Sequence, residues 1–436
     1  MIVRKIKPEE FKRTEELFSI AFCFPYDCDK EPMEVYQERK ENPEAREDVK
    51  PLDKYAAFED DDKTMMSCLS ATHFPMNFNG NQVTMAGIGG VSSVPTYRRH
   101  GGIRGCFTKM LPDLYEAGVT FSYLYPFSTC FYNKFGYGLG IRGKVYELDL
   151  SRIPKYGTVG KSILVEPGNA QELLADVAAV YEVWQQKYNG MIINGPLEYQ
   201  FITKANPCKK QEFVYLYRSA DGVPKGYISF HKEDSEAYSI LACTKIVFVD
   251  AEGLKGLLEL VASYAADYRS VRFTVPEDVE IEAVLREFSF AACKLNRSYM
   301  GMVRVINVEE ALRLSSYRGE GRIALQITDP YIGENTGIFE VTYEEGKATE
   351  VRRILTLDDE TAEGYAIESE DKACTDTGED KETVIRMHID RFSEFIFHNR
   401  PASNFLYYGE QSLTEEQVRE LEQTFVRGTS FLMEYF

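Results

Sequence analysis

The twelve residues GVSSVPTYRRHG, Gly90 to Gly101, decide how the chain is to be read. A run of apolar and small residues from Met85 to Val94 leads into them and is closed by Pro95. After them, from Ile103 to about Tyr115, Phe107, Met110, Leu111 and Leu114 fall on one helical face. The pattern is a strand, a basic glycine-containing turn and a helix start. The first N–H groups of a helix lack intrahelical partners and carry partial positive charge. Glycine admits a ligand close to such a backbone, and Arg98 and Arg99 add cations suited to phosphate. Two readings stand at this point: a pyrophosphate site, or a solvated basic turn without a ligand.

The whole chain has 436 residues, enough for roughly three domains of ordinary size. Its 44% hydrophobic and 13% aromatic content suits packed cores. A net charge of −19 disfavours nucleic acid and anionic membrane and favours cationic ligands, while also serving solubility. Nine cysteines are scattered without CxxC pairs, and most, such as Cys68 and Cys243, read as small buried hydrophobes in a reducing compartment. The N-terminal MIVRKIKPEEF has no signal-peptide core, and no apolar run approaches the ~18 residues that span a bilayer. The expected location is the cytoplasm.

In chain order, a strand at 2–6 and a helix from Pro8 to Phe22 precede a charged surface stretch, 27–53. Strands follow at 55–59, 65–74 and 82–94, with Asn79-Gly80 as a hairpin turn between the last two. The helix after the basic turn leads to a strand at 119–125, the segment Thr129–Phe135 and a strand at 142–150. From 165 to 306 the order partly repeats, ending in a helix at 281–288 and a strand at 298–305. In this second copy Asp250-Ala251-Glu252-Gly253 replaces the basic turn and would repel phosphate. Beyond Asn307 come strands at 321–327, 337–342 and 349–353, an acidic stretch at 357–382, and two helices. The chain ends in SFLMEYF, an aromatic terminus suited to docking rather than fraying.

The run V-x-x-V-x-P-x-x-R-R-x-G from Val91 to Gly101 resembles the acetyl-CoA signature of the GCN5-related N-acetyltransferases (GNAT). FYNKFGYG at 131–138 resembles that superfamily's tyrosine-bearing segment beside the CoA sulfur. Together with the degenerate second copy and the aromatic terminus, the whole length resembles the enhanced intracellular survival (Eis) family. The resemblance implies an α+β chain: a GNAT domain over 1–150, a cofactor-free GNAT-like domain over 151–306, and a sterol-carrier-like domain over 307–436 that docks its terminus in the active site. It resolves the basic turn as a pyrophosphate site.

Position by position, the resemblance implies that the Val91, Ser92, Ser93 and Val94 backbone lines the thioester and pantetheine. Arg98, Arg99, Gly101, Gly102 and Ile103 hold the pyrophosphate. Gly102 and Ile103 depart from the superfamily's usual second spaced glycine or alanine. Tyr132 stands at the general acid, a phenol of pKa about 10 that can protonate a departing thiolate. The α-carboxylate of Phe436 stands at the general base. Its reference pKa of ~3.5 is poorly matched to an ammonium, so the expected roles are a base whose pKa is raised by burial among Phe431, Leu432 and Tyr435, action through water, or orientation of the amine. Glu434 adds negative charge for the substrate. Phe22, Phe24 and Trp184 read as core, though the family lines its substrate pocket with aromatics near residues 22–26.

The expected reaction is direct attack of a primary amine on acetyl-CoA in a ternary complex, with the oxyanion held near Val91 to Val94 and no metal. Aminoglycosides, lysine side chains and polyamines fit as acceptors, and the family implies a homo-hexamer. The rivals are a non-catalytic acyl-CoA sensor or lipid-binding module, and an acyltransferase for longer chains. The histidines at 73, 100, 231, 388 and 398 have no metal-ligand spacing, and Cys130 reads as packing.

Overall fold

A computed structural model of the chain describes residues 1–26, 52–195, 198–234, 239–289, 292–355, 384–398, 400–407 and 413–436. Most of the charged 27–53 run and the acidic 357–382 stretch lie outside the described residues. The first part comprises β1 (Ile2–Lys5), α1 (Phe11–Phe22), β2 (Leu52–Phe58), β3 (Met65–Phe78), β4 (Asn81–Ser93), α2 (Gly102–Glu116), β5 (Phe121–Leu124), α3 (Thr129–Asn133) and β6 (Gly138–Asp149). Asn79 and Gly80 both take positive φ, the geometry a two-residue hairpin between twisted strands requires.

The second part comprises β7 (Lys161–Leu164), α4 (Ala170–Lys187), β8 (Glu212–Arg218), β9 (Pro224–Asp234), β10 (Ser239–Phe248), α5 (Ala251–Ala262), β11 (Ser270–Pro276) and β12 (Cys293–Val305). The helix expected over 281–288 is a single 3-10 turn, Ile281–Val284, because Leu285 returns to an extended backbone. The third part comprises α6 (Val308–Arg313), β13 (Gly321–Thr328), β14 (Gly337–Glu344), β15 (Lys347–Leu355), β16 (Ile385–His388), α7 (Ile389–Ile396) and α8 (Glu415–Thr424). Its strands form a separate four-stranded sheet, β15-β14-β13-β16.

The first two parts share one twelve-stranded sheet, ordered β1-β2-β3-β4-β5-β12-β6-β11-β10-β9-β8-β7. Its centre holds an exchange. β12, last in sequence, pairs with β5 of the first part, Met302 opposite Leu124, while β6 pairs with β11 of the second, Tyr146 opposite Phe273. The strand expected to complete the second copy thus completes the first. β12 is also five residues longer than expected, beginning at Cys293.

The two faces of the first part have separate cores. On one face α2 buries Phe107, Met110 and Leu111 against Ile88, Leu124 and Tyr132. On the other, Phe74, Met85, Phe121 and Tyr123 join a cluster that runs into α4 and the third part. Strand alternation makes this division: Ile88 and Leu124 face α2, whereas Gly87, Gly89, Tyr123 and Tyr125 face the third part.

Candidate functional site

The site begins with a break in strand pairing. β4 runs parallel to β5 only as far as Ile88 opposite Leu124, where β5 ends, but β4 continues to Ser93. The β3–β4 register shifts between Cys68–Ser92 and Ser70–Gly89, so Gly90 and Val91 stand opposite Leu69 alone. Such a bulge bends its strand. Gly90 takes φ of 60°, and a Cβ there would lie 2.2 Å from the Phe18 ring, so only glycine fits. The result is an open edge between two splayed strands.

Val94 does not belong to that edge, contrary to its expected role. Its N–H donates to Met66 O on β3 at 2.9 Å. Strand alternation turns the Ser93 and Val91 N–H groups the other way, toward the gap. These two are the backbone donors left for an acyl-carrying ligand.

From the gap a cavity of about 890 Å³ extends along the first turn of α2. Val91, Ser92, Ser93, Arg98, Arg99 and Gly101 line it, as do Gly102, Ile103 and Phe22. Gly101, with φ of 85°, caps the helix, and the first intrahelical bond runs from Gly105 N to Gly101 O. The N–H groups of Gly102, Ile103 and Arg104 therefore precede the hydrogen-bond ladder. Arg98 and Arg99 are exposed beside them, and Arg104 and Lys134 add two cations unforeseen in the sequence. Phe127 and Phe131 form an aromatic wall. A cationic end, a row of free amides and an apolar wall fit a pyrophosphate, its pantetheine arm and a thioester in that order, so acetyl-CoA fits the residues present.

Tyr132 lies on the α2 face, buried behind groove residues Phe131 and Phe135, and does not itself line the groove. Its ring centroid is 5.1 Å from that of Phe131 and 5.4 Å from that of Phe127. Burial, then the neighbouring Tyr137 phenol, pushes its pKa well above the ordinary phenol value. The group therefore stays protonated at neutral pH, as a proton donor must. Tyr137 is wholly buried, its hydroxyl 2.6 Å from Ser122 Oγ.

Phe436 arrives from the opposite face. The tail is held along the way: Phe431 N donates to Asn189 O at 2.7 Å, and Tyr125 OH donates to Glu434 O at 2.6 Å. The Phe436 ring packs near Phe74 and Tyr125, at centroid distances of 5.2 and 5.5 Å. Its carboxyl carbon lies 3.2 Å from the position a Cβ on Gly89 would take. The chain-end carboxylate thus abuts β4 next to the open edge. Phe431 and Leu432 are buried, but Tyr435 is 79% exposed and stacks on Tyr125 at 4.3 Å, so it does not enclose the carboxylate as expected.

Two expected substrate contacts need correction. Glu434 does not line the groove, and its carboxylate is paired with Lys245 at 3.0 Å, so its charge is compensated. Phe22 and Phe24 are not core, being 57% and 44% exposed, because α1 turns only Thr14 and Leu17 fully inward. Phe22 lines the groove and Phe24 does not. Trp184 is core.

Gly87 supplies a test of the docked tail. Its backbone is unstrained, but a Cβ would lie 2.5 Å from the Phe436 ring. Gly87→Ala is expected to expel the tail while leaving β4 intact. Steady-state kinetics should show a fall in kcat with KM for acetyl-CoA unchanged, and carboxypeptidase should now digest the terminus.

The root of the tail predicts an acid limit. Burial, then the Arg427 guanidinium, lowers the His398 pKa from 6.5 to about 3. Arg427 donates to His398 O at 3.0 Å, and Ser430 Oγ donates to Phe397 O at 2.6 Å. As pH falls from 6.5 toward 3, the unfolded chain binds a proton that the folded one refuses, so stability falls with a slope approaching ~1.4 kcal/mol per pH unit. His398 has φ of 59°, which asparagine also adopts readily. His398→Asn should flatten the acid limb of a denaturation series run between pH 7 and 4.

Gly87 and Gly89 were legible in principle, since glycine inside a strand marks close backbone approach. Lys134, Arg104 and Lys245 carried no such signal. His100 is exposed on the turn, and Cys130 is exposed rather than packed, lying on the outer side of α3. Of the seven cysteines among the described residues, Cys68, Cys106 and Cys293 are buried, whereas Cys23, Cys130 and Cys208 are exposed. Among the described residues no three His, Cys, Asp or Glu side chains are grouped to hold a metal, and no helix is long and apolar enough to cross a membrane.

Comparison with known proteins is in keeping with this geometry. Residues 2–140 match the acetyltransferase (GNAT) domain and residues 308–433 match the sterol carrier protein domain. No curated protein sequence matches the chain as a relative. The chain is similar over its full length to a probable N-acyltransferase of Enterococcus faecalis V583, at 23% identity and a TM-score of 0.77, covering 99% of that chain. It is similar to a GCN5-related N-acetyltransferase of Anabaena variabilis, at 18% identity and a TM-score of 0.76, with both chains fully covered. Eis1 of Mycobacterium abscessus is also similar, at 16% identity and a TM-score of 0.72, again with both chains fully covered. At these identities the structural likeness shows the fold alone: an α+β chain that begins with a GNAT domain and ends with a sterol carrier domain.

Proposed function

We propose that this chain, an acetyltransferase by its GNAT domain, moves the acetyl group of acetyl-CoA to a primary amine by direct transfer in a ternary complex. The observation that supports the reading is that Tyr132 packs in the α2-side core between groove residues Phe131 and Phe135, while the Phe436 carboxylate abuts β4 from the opposite face. Acetyl-CoA supplies an activated thioester. Arg98, Arg99 and the N–H groups at the start of α2 hold its diphosphate, and the Val91 and Ser93 N–H groups polarise its carbonyl. The Phe436 carboxylate accepts or orients the amine proton, and the Tyr132 phenol gives a proton to the leaving sulfur. An amine that is charged in water is drawn by the net charge of −19, so cationic acceptors of the aminoglycoside, lysine or polyamine type lead the list. An acetyl-CoA consumer with dispersed cysteines belongs in the cytoplasm, and the family resemblance makes a homo-hexamer the expected assembly.

The test is thiol release from acetyl-CoA across a panel of these amines, with arylalkylamines included. Acceptor-dependent release with intersecting initial-velocity lines supports the proposal, and Arg98→Ala should raise KM for acetyl-CoA. Tight acetyl-CoA binding with no acceleration by any amine would instead make the chain an acyl-CoA sensor. Release that favours longer acyl chains would move it to the other acyltransferases.

A further inference from the structure

We infer that Asp390, at the start of α7 in the third part, is a positioning residue for Tyr132 and acts through Asn133; the inference rests on the reading of Tyr132 as the proton donor. α3 is five residues long, too short to hold itself as a helix, so its place is set by what grips it. The Tyr132 carbonyl accepts from Phe135 N at 2.9 Å and from Tyr137 N at 3.4 Å. Tyr132 therefore moves with the turn that follows it.

That turn is held from outside the first part. Asn133 Nδ2 donates to Asp390 Oδ2 at 2.6 Å and to Tyr137 O at 3.2 Å. Two residues on, Phe135 O accepts from the buried Arg304, and Leu139 N donates to the Glu394 carboxylate of α7 at 2.8 Å. Asp390 is only 3% exposed, but Asn133 is exposed. A buried carboxylate needs partners: Asp390 Oδ1 has His388 Nδ1 at 2.9 Å and Arg391 N at 2.8 Å, and Oδ2 has the Asn133 amide, with Arg391 Nε farther off at 3.8 Å. The bond to Asn133 satisfies Asp390 Oδ2, while the bonds to Oδ1 fix the carboxylate from within the third part. What it holds is α3.

The third part then sets both proton-transfer groups. Its tail delivers the Phe436 carboxylate to one face of the gap, and α7 fixes the Tyr132 phenol on the other.

Asn133→Ala in the full-length protein tests this, because the residue is exposed and does not line the groove. The expected result is a fall in kcat of about tenfold, since small misplacements of a reacting group are costly. KM for acetyl-CoA should be unchanged, the thermal midpoint should fall modestly as Asp390 Oδ2 loses a hydrogen bond, and the alkaline limb of the pH–rate profile should shift. In a Tyr132→Phe background the same substitution should cost nothing more. A wild-type kcat for Asn133→Ala, or a loss that adds in full to that of Tyr132→Phe, would overturn the inference. If Tyr132→Phe alone keeps the wild-type rate, the proton-donor reading itself fails, an outcome visible before Asn133 is touched.

Discussion

Deleting Phe436 is expected to lower kcat by about a hundredfold or more, the range of a positioned acid or base, with KM for acetyl-CoA nearly unchanged. The carboxylate has a defined place only because the ring beneath it is anchored among Phe74, Tyr125 and the bare face of Gly87. Further back, the tail is tied by the Glu434–Lys245 pair and by the Tyr125 hydroxyl. Deletion moves the new chain end to Tyr435, about one residue, or ~3.5 Å, short of the gap. Adding one glycine moves the carboxylate about as far in the other direction while the ring stays seated. Both variants should lose activity, whereas Phe436→Ala, which keeps a chain-end carboxylate on a looser anchor, should fall between them and wild type. The glycine extension keeps the ring seated, so its thermal midpoint should barely change, whereas deletion and Phe436→Ala remove a ring packed on Phe74 and Tyr125 and should lower theirs. Wild-type turnover in the glycine-extended protein would remove the carboxylate from the reaction.

How much of this was readable beforehand depends on the range over which each feature is determined. The strand–turn–helix around Gly90–Gly101 is local: a basic turn, a left-handed glycine cap and a helical apolar face all fall within about thirty residues of each other. Tyr132 sits in a short motif of its own. The docking of the aromatic terminus was signalled by composition, because a polar end would not seek cover. The exchange of β6 and β12 was not readable, since either strand has the same alternating pattern whichever half it joins, and the choice is made by partners about 180 residues away for β12 and about 130 for β6. Glu434 misled for the same reason. Alone it reads as a charge offered to substrate, and only the fold brings Lys245 to meet it. The grip of Asp390 on Asn133 spans 257 positions and leaves no local trace.

Arg304→Met should be the most destabilising single change at the junction of the three parts, about 3–5 kcal/mol, and should lower kcat as well. Arg304 sits on the exchanged strand β12, with its side chain and that of Asp329 wholly buried. Its guanidinium donates to Asp329 Oδ1 at 2.7 Å, to Val305 O at 2.8 Å and to Phe135 O at 2.7 Å. Removing it strands a desolvated carboxylate, for which the Tyr331 and Ile332 N–H groups and the Asn335 amide are poor compensation for a lost cation. Stability and activity are separable here. Arg304→Met combined with Asp329→Asn removes the stranded charge, so the double variant should regain part of the lost stability in a urea titration. It should not regain kcat, because Phe135 O still lacks its donor and the turn behind Tyr132 stays loose. A double variant that recovers both together would make Arg304 a purely structural pin. One that recovers stability alone would show that the buried Arg304, through its separate bond to Phe135 O, helps to hold the proton donor in place.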